Sequence, residues 1–171
     1  LTALSLNDNT EVTGAGVAAL AESPFFAGLT ALDLSGNDVN EFGLRAALAG
    51  RWAPRLRTLR LKGNPIGDVG VRLLAASPLF PRMVADSGQL ELRENGIGPA
   101  GVAALAASPA LSRCRSLDLT GNDVGDRGLA ALVASPRLEG LRTLKLARNQ
   151  ITDAGVNSVR HQLPALLGRL R

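Results

Sequence analysis

A chain of 171 residues is about one domain long, and its composition is lopsided: 46% apolar but 3% aromatic, with 31 Leu, 26 Ala, 19 Gly and no Tyr. That apolar content excludes intrinsic disorder, no apolar run approaches the roughly 18 residues of a membrane span, and a single Cys and a single His exclude a disulfide framework, a cysteine zinc cluster and paired-His metal motifs. The net charge of +4 conceals an asymmetry, since residues 1–44 carry six acids and no base, whereas 45–100 and 101–171 each carry a net +5.

Six units follow one another. The first, residues 1–28, places Leu1, Leu4, Leu6 and Asn9 on one spacing, then a helix after Thr13 with Gly16, Val17 and Leu20, stopped at Ser23-Pro24. Residues 29–55 repeat it with Leu29, Leu32, Leu34 and Asn37, a helix from Asn40-Glu41 through Gly43 and Leu44, and Trp52 at its end, where packing or a place on the convex side is expected. Residues 56–86 bring Leu56, Leu59, Leu61 and Asn64, then Gly67-Asp68, Gly70, Val71 and Leu74 before Ser77-Pro78. This unit is four residues longer, and the extra length around Phe80–Asp86 reads as a surface insertion before the next strand or as a protruding loop that meets a partner. Residues 87–113 open with Ser87 in a Leu slot and continue Leu90, Leu92, Asn95, Gly98-Pro99, Gly101 and Val102 to Ser108-Pro109. Residues 114–140 substitute Cys114 for the first Leu, then run Leu117, Leu119, Asn122, Asp126, Gly128 and Leu129 to Ser135-Pro136. Residues 141–169 carry Leu141, Leu144, Leu146, Asn149, Asp153, Gly155 and Val156, and 170–171 begin a seventh unit.

Each residue type has a reason. The x-Leu-x-Leu-x core alternates with period two, as a short strand with Leu inward requires. An Asn amide both donates and accepts, so it can satisfy the backbone that the turn after the strand leaves unpaired, and stacked units would form an Asn ladder. Val39, Ile66, Ile97, Val124 and Ile151 make a second apolar column. Glu41, Asp68, Asp126 and Asp153 suit the positive end of a helix dipole. Gly costs nearly 1 kcal/mol against Ala inside a helix, so a Gly at the same place in six helices predicts a backbone approach too close for a Cβ. Pro disfavours helical geometry in the residue before it, which makes Ser-Pro a stop signal.

These residues, written L-x-x-L-x-L-x-x-N-x-[IV]-x-x-x-G-[VL], resemble the leucine-rich repeat family, and the length of the unit with a full helix is most similar to its ribonuclease-inhibitor-like subclass. The resemblance covers essentially the whole chain. It implies an α/β fold: a right-handed leucine-rich repeat solenoid, one domain over 1–171, curved, with parallel strands on the concave face and helices on the convex face. The Arg bias (17 of 19 basic residues) points to a bacterial coding sequence, and the absence of terminal caps points to a fragment of a longer protein, monomeric as such. Starting at Leu1 rather than Met, the sequence carries no information on targeting.

No catalytic constellation stands out, and no cofactor or metal is expected. His161 is alone near the end of the last helix, and Cys114 fills an apolar slot. The turns Gly63–Asp68 and Gly121–Asp126 lack the Lys and spacing of a phosphate loop, and Asp38, Asp123, Asp126 and Asp153 do not match a calcium loop. The strand face is the one site-like surface. Its central column reads Ser5, Asp33, Arg60, Glu91, Asp118 and Lys145. Strands lie about 4.8 Å apart, so Asp33–Arg60–Glu91 and Asp118–Lys145 are expected either as salt-bridge rungs or as partner contacts. With neighbours, the expected partner-binding set is Asp33, Arg57, Arg60, Lys62, Glu91, Arg93, Asp118, Lys145 and Arg148. The face has no aromatic residue, which disfavours single-stranded nucleic acid, and Asp33, Glu91 and Asp118 interrupt the stripe a duplex backbone would need. A protein-interaction surface ranks first. A GTPase activator, which the resemblance also allows, is the alternative and would need an edge Asn or Arg meeting a nucleotide site, with Arg57, Arg115 and Arg142 as candidates that no local motif singles out; nucleic-acid backbone binding is third.

Overall fold

The computed structural model describes residues 1–162, so the start of a seventh unit at 170–171 and the end of the sixth lie outside the described residues. Six three-residue strands alternate with helices: β1 Ala3–Ser5, α1 Gly14–Glu22, β2 Ala31–Asp33, α2 Glu41–Ala49, β3 Thr58–Arg60, α3 Gly67–Ala76, α4 Phe80–Ser87, β4 Gln89–Glu91, α5 Pro99–Ala107, β5 Ser116–Asp118, α6 Gly125–Val133, β6 Thr143–Lys145 and α7 Asp153–Val159. The strands are parallel and in register, Leu4 beside Leu32 beside Leu59, and Leu90 beside Leu117 beside Leu144. The helices pack unit on unit, α1 on α2, α2 on α3, α3 directly on α5, α5 on α6 and α6 on α7. Strands stack at about 4.8 Å and helices at 8–10 Å, so the strand side is the inner side of a curved α/β solenoid.

The core is one continuous column of inward Leu, Val and Ile, including Leu32, Leu34, Leu61, Leu92, Leu117 and Leu119. Each such Leu contributes about 1.5–3 kcal/mol by leaving water. Val39, Ile66, Ile97 and Val124 are fully buried as the second column. Trp52 is fully buried too, its Nε1–H donating to Ala47 O at 2.8 Å. Cys114 is buried, and burial pushes its thiol up to about 11, which leaves it a small hydrophobe. The Gly column answers to close packing where a preceding helix exists: a Cβ on Gly43 would stand 2.6 Å from Gly14 Cα, whereas at Gly16, in the first unit, nothing lies nearer than 3.9 Å. Ser23, Ser77 and Ser108 cap the helix ends their Ser-Pro pairs predict. Ser108 and Ser135 also donate to Ala75 O and Ala106 O of the preceding unit.

The Asn residues form the ladder. Asn64 Nδ2 donates to Leu34 O (2.8 Å) and Leu61 O (3.1 Å) while its Oδ1 accepts from Val39 N–H. Asn122 and Asn149 repeat the pattern. Two helix-start acids do more than meet their own dipole. Asp68 accepts from Gly98 N–H (2.7 Å), and Asp126 accepts from Thr152 N–H (2.8 Å) and hydroxyl (2.7 Å), so each holds the residue that starts the helix of the following unit. Those bonds from Thr152 hold the Asp126 carboxyl below the usual carboxylate range.

Two expectations are corrected. The insertion in the third unit is neither a surface loop nor a protrusion: it is the helix α4, whose Phe80 and Val84 are buried in the core and whose Arg82 reaches back to Ala53 O and Pro54 O. The cause is its own apolar spacing at i and i+4. The strand layer, in turn, is not one sheet. It divides into β1-β2-β3 and β4-β5-β6. Elsewhere the residue after each strand donates across, as Leu34 N–H does to Arg60 O and Leu92 N–H to Asp118 O, but Leu61 N–H has no such bond to Glu91 O among the described residues. α4 ends only one residue before β4, and Ser87 Oγ takes the Gln89 N–H (3.0 Å) that would otherwise enter the ladder.

Candidate functional site

The nine expected residues all lie on the strands or just beyond them, but the structure gives them unequal parts. Asp33 and Arg60 form the expected rung at 3.4 Å, and Asp118 and Lys145 form theirs at 3.4 Å. The rung does not extend from Arg60 to Glu91, because the break between β3 and β4 lies between them; Glu91 is exposed and has no ion pair among the described residues. Asp118 instead gathers a second cation, Arg93, at 3.9 Å. Arg57 pairs with Asp86 of α4 (3.8 Å), and Arg148 with Glu94 (3.1 Å). Lys62 is exposed.

The two aspartates of the central column are thus drawn inward while Arg60 and Lys145 remain in water, and Glu91 stays exposed. Burial disfavours the charged form of Asp118, yet bonds from the Thr120 hydroxyl and N–H and the nearby Lys145 outweigh it, so its pKa lies below the ordinary value. Asp33 follows the same sequence of causes, with Ser35 and Arg60 as partners, and its pKa is likewise lowered. The Asp118 side chain is only 7% exposed against 57% for Lys145. With the cation in water such a pair contributes about 1 kcal/mol, and the aspartate anchors a cation that still faces solvent.

Glu94 and Arg148 bridge two units in spite of the unit between them. Both have left-handed backbones, φ 56° and 54°, a conformation that costs an L-residue of order 1 kcal/mol. Between them stands Gly121, where a Cβ would meet Glu94 Cγ at 2.9 Å. Gly121 therefore clears the path for the bridge. Sequence spacing does not reveal this pair, since it skips a unit, nor Asp86 as the partner of Arg57, since that depends on α4 being a helix.

Where the sheet divides, a groove of about 220 Å³ opens on the strand face, lined by Arg57, Arg60, Lys62, Met83 and Glu91 among others. Among the described residues no three His, Cys, Asp or Glu lie close enough to hold a metal, and no helix is long and apolar enough to cross a membrane.

Parallel short strands in register, an Asn ladder beneath them and helices behind define a solenoid class of protein. Residues 1–21, 29–46, 54–75, 89–106, 115–133 and 141–159 match the family described as leucine-rich repeat, and the chain belongs to that family. No curated protein sequence matches it. Among solved structures it is similar to an internalin (inlF) from Listeria monocytogenes, with a TM-score of 0.58 and 21% identity over 100% of this chain and 46% of that one. It is also similar to a chain of an octameric complex of Latrophilin 3, Unc5D and FLRT2, with a TM-score of 0.49 and 17% identity over 100% of this chain and 52% of the other. The chain thus spans about half the length of the structures it matches.

Proposed function

We propose that the strand face is a protein-binding surface that selects an acidic partner by charge. The observation that carries this reading is the separation of charge across the face: Asp33 and Asp118 are engaged by internal hydrogen bonds, while Arg57, Arg60, Lys62, Lys145 and Arg148 stay exposed above them. Stacked repeats make extended concave surfaces of this kind, and solenoids use them for binding. With no aromatic residue on the strands, Arg is the one strong anchor type the face offers. The whole expected set, Asp33, Arg57, Arg60, Lys62, Glu91, Arg93, Asp118, Lys145 and Arg148, then divides into cations that meet the partner, Glu91 as the one exposed acid, and two aspartates that fix cation positions. Charge steering of this sort raises association rates and falls with added salt. We assign the chain to the ribonuclease-inhibitor-like subclass on its full convex helices, and to a bacterial source on its Arg bias.

The test is capture of a purified partner by the wild-type chain and by an Arg60→Glu, Arg93→Glu, Lys145→Glu triple variant, over a salt gradient. Loss of capture in the variant, and in the wild type at high salt, supports the reading. Undiminished capture by the variant would sink it.

A further inference from the structure

A second charged feature lies off the strand face, at the rim where the last three strands begin. Arg115 N–H donates to Gly88 O (2.6 Å) and Arg142 N–H to Arg115 O (2.7 Å), so Gly88, Arg115 and Arg142 occupy successive rungs of one row. The rungs are about 4.8 Å apart, and side chains at one register position leave the sheet on the same side. Two guanidiniums therefore issue from neighbouring rungs. The equivalent row of the first sheet is Thr2, Thr30 and Arg57, with a single cation.

Gly88 leaves the third rung without a side chain, and a Cβ there would press on the Arg115 stem at 3.1–3.3 Å. What results is a cavity of about 680 Å³, walled by the end of α4 on one side and by Ser112, Arg113 and Gly140 on the other. This size falls within the roughly 300–1,000 Å³ usual for small-ligand sites. Arg113 adds a third guanidinium. Among the described residues none of the three guanidiniums makes a side-chain hydrogen bond or an ion pair. Asp86, the one acid in the lining, faces Arg57 at 3.8 Å. Three like charges around one cavity repel each other, and a doubly charged oxyanion held by bidentate bonds would convert that repulsion into attraction.

We propose that this rim pocket, built by the α4 insertion and Arg113, Arg115 and Arg142, binds a phosphomonoester dianion, carried by a small molecule or by a phosphorylated side chain. The probes are phenyl phosphate and the tripeptide Gly-phosphoserine-Gly, titrated into the full chain at low salt by calorimetry and by amide NMR shifts. Saturable binding with shifts gathered at Gly88, Arg113, Arg115 and Arg142 is expected. An Arg115→Glu, Arg142→Glu variant should bind at least about tenfold more weakly, while Arg127→Glu on α6 leaves binding unchanged. Benzoate, with one charge on the same ring, should bind several-fold more weakly than phenyl phosphate. Binding of both phosphates alike assigns a small phosphomonoester, and binding of the peptide alone assigns a phosphorylated partner. Circular dichroism checks that the double variant folds, with Arg115→Gln, Arg142→Gln as the milder replacement. Equal affinity in the variant, or shifts spread over Arg60, Lys62 and Lys145 instead, would overturn the assignment.

Discussion

The junction between the third and fourth units differs from the four others in one layer only. On the convex side α3 meets α5 as closely as α5 meets α6, and in the turns Gly63 N–H still donates to Arg93 O (2.9 Å). On the strand side the ladder is gone, and the Asn ladder beneath it is thinned. Ile66 N–H turns to Asn64 O, as Val12 N–H does to Asn9 O in the first unit, but there Asn37 Oδ1 still takes the Asn9 N–H, whereas the buried Asn95 Oδ1 is left without a partner; Val39, Ile97 and Val124 N–H each find the Asn of the next unit. The lesson is that the layers of a repeat are separable: an inserted helix on the strand-entry edge opens the inner face while the outer layer holds the units in line. The same insertion supplies the groove near Arg57 and Lys62 and one wall of the rim pocket.

Removing what seats α4 should have the largest effect on the irregular junction. Phe80→Ala should cost about 3–5 kcal/mol in urea unfolding, the range for a fully buried aromatic; a change under about 0.5 kcal/mol would mean that α4 is surface decoration after all. The ladder itself comes next. Asn122→Ala removes bonds to Leu92 O, Leu119 O, Asn95 N–H and Ile97 N–H and should cost about 3 kcal/mol. Asn95→Ala loses one bond, to Arg93 O, together with an already unpaired acceptor, and should cost about 1 kcal/mol. Equal costs at the two positions would erase the distinction between the junctions. Amide exchange reads the same difference without mutation: Leu61 N–H should exchange at least about tenfold faster than Leu34 and Leu119 N–H, which donate to Arg60 O and Lys145 O.

The regular junctions were legible from the sequence because every part of them is periodic. Inward Leu, the closing Asn and the Ser-Pro stops recur at one spacing, and a recurring residue betrays a recurring bond. The irregular junction hid in plain view. Phe80 and Val84 stand four apart, a helical spacing, but four extra residues in a repeat protein read first as a loop. The Arg60–Glu91 rung was expected because register was assumed to run unbroken, and no single residue announces that Ser87 will divert the Gln89 N–H. The rim cluster was half visible: Arg115 and Arg142 share a column in the sequence, while Arg113 and Gly88 join them only through the turn before β5 and the end of α4.

The two sheets also differ in how firmly they hold their aspartates, and the smallest expected effect tests that. Among the described residues Asp118 has two cations nearby and a side chain 7% exposed, whereas Asp33 has Arg60 alone and is 20% exposed. Both carboxyls titrate below their ordinary value of 3.8. A depressed folded-state pKa stabilises the fold above the unfolded pKa, and that contribution is lost as pH falls through the folded value. Asp118→Asn keeps an oxygen to accept the Thr120 N–H and replaces the charged oxygen that faces Arg93 and Lys145 by an amide NH2. It should therefore lower stability by about 1 kcal/mol at pH 7, a figure held down because Arg93 and Lys145 are partly solvated. The gap from wild type should begin to close as pH drops toward 3.8 and vanish once Asp118 is protonated in the folded chain. Asp33→Asn should show the same closing gap at about half the size. If the Asp118→Asn gap stays constant into acid, the charge is not what holds the Arg93–Asp118–Lys145 cluster. If Asp33→Asn proves the costlier change, the more deeply engaged acid lies in the first sheet, and the strand face would present its freest cations beyond the break instead of before it.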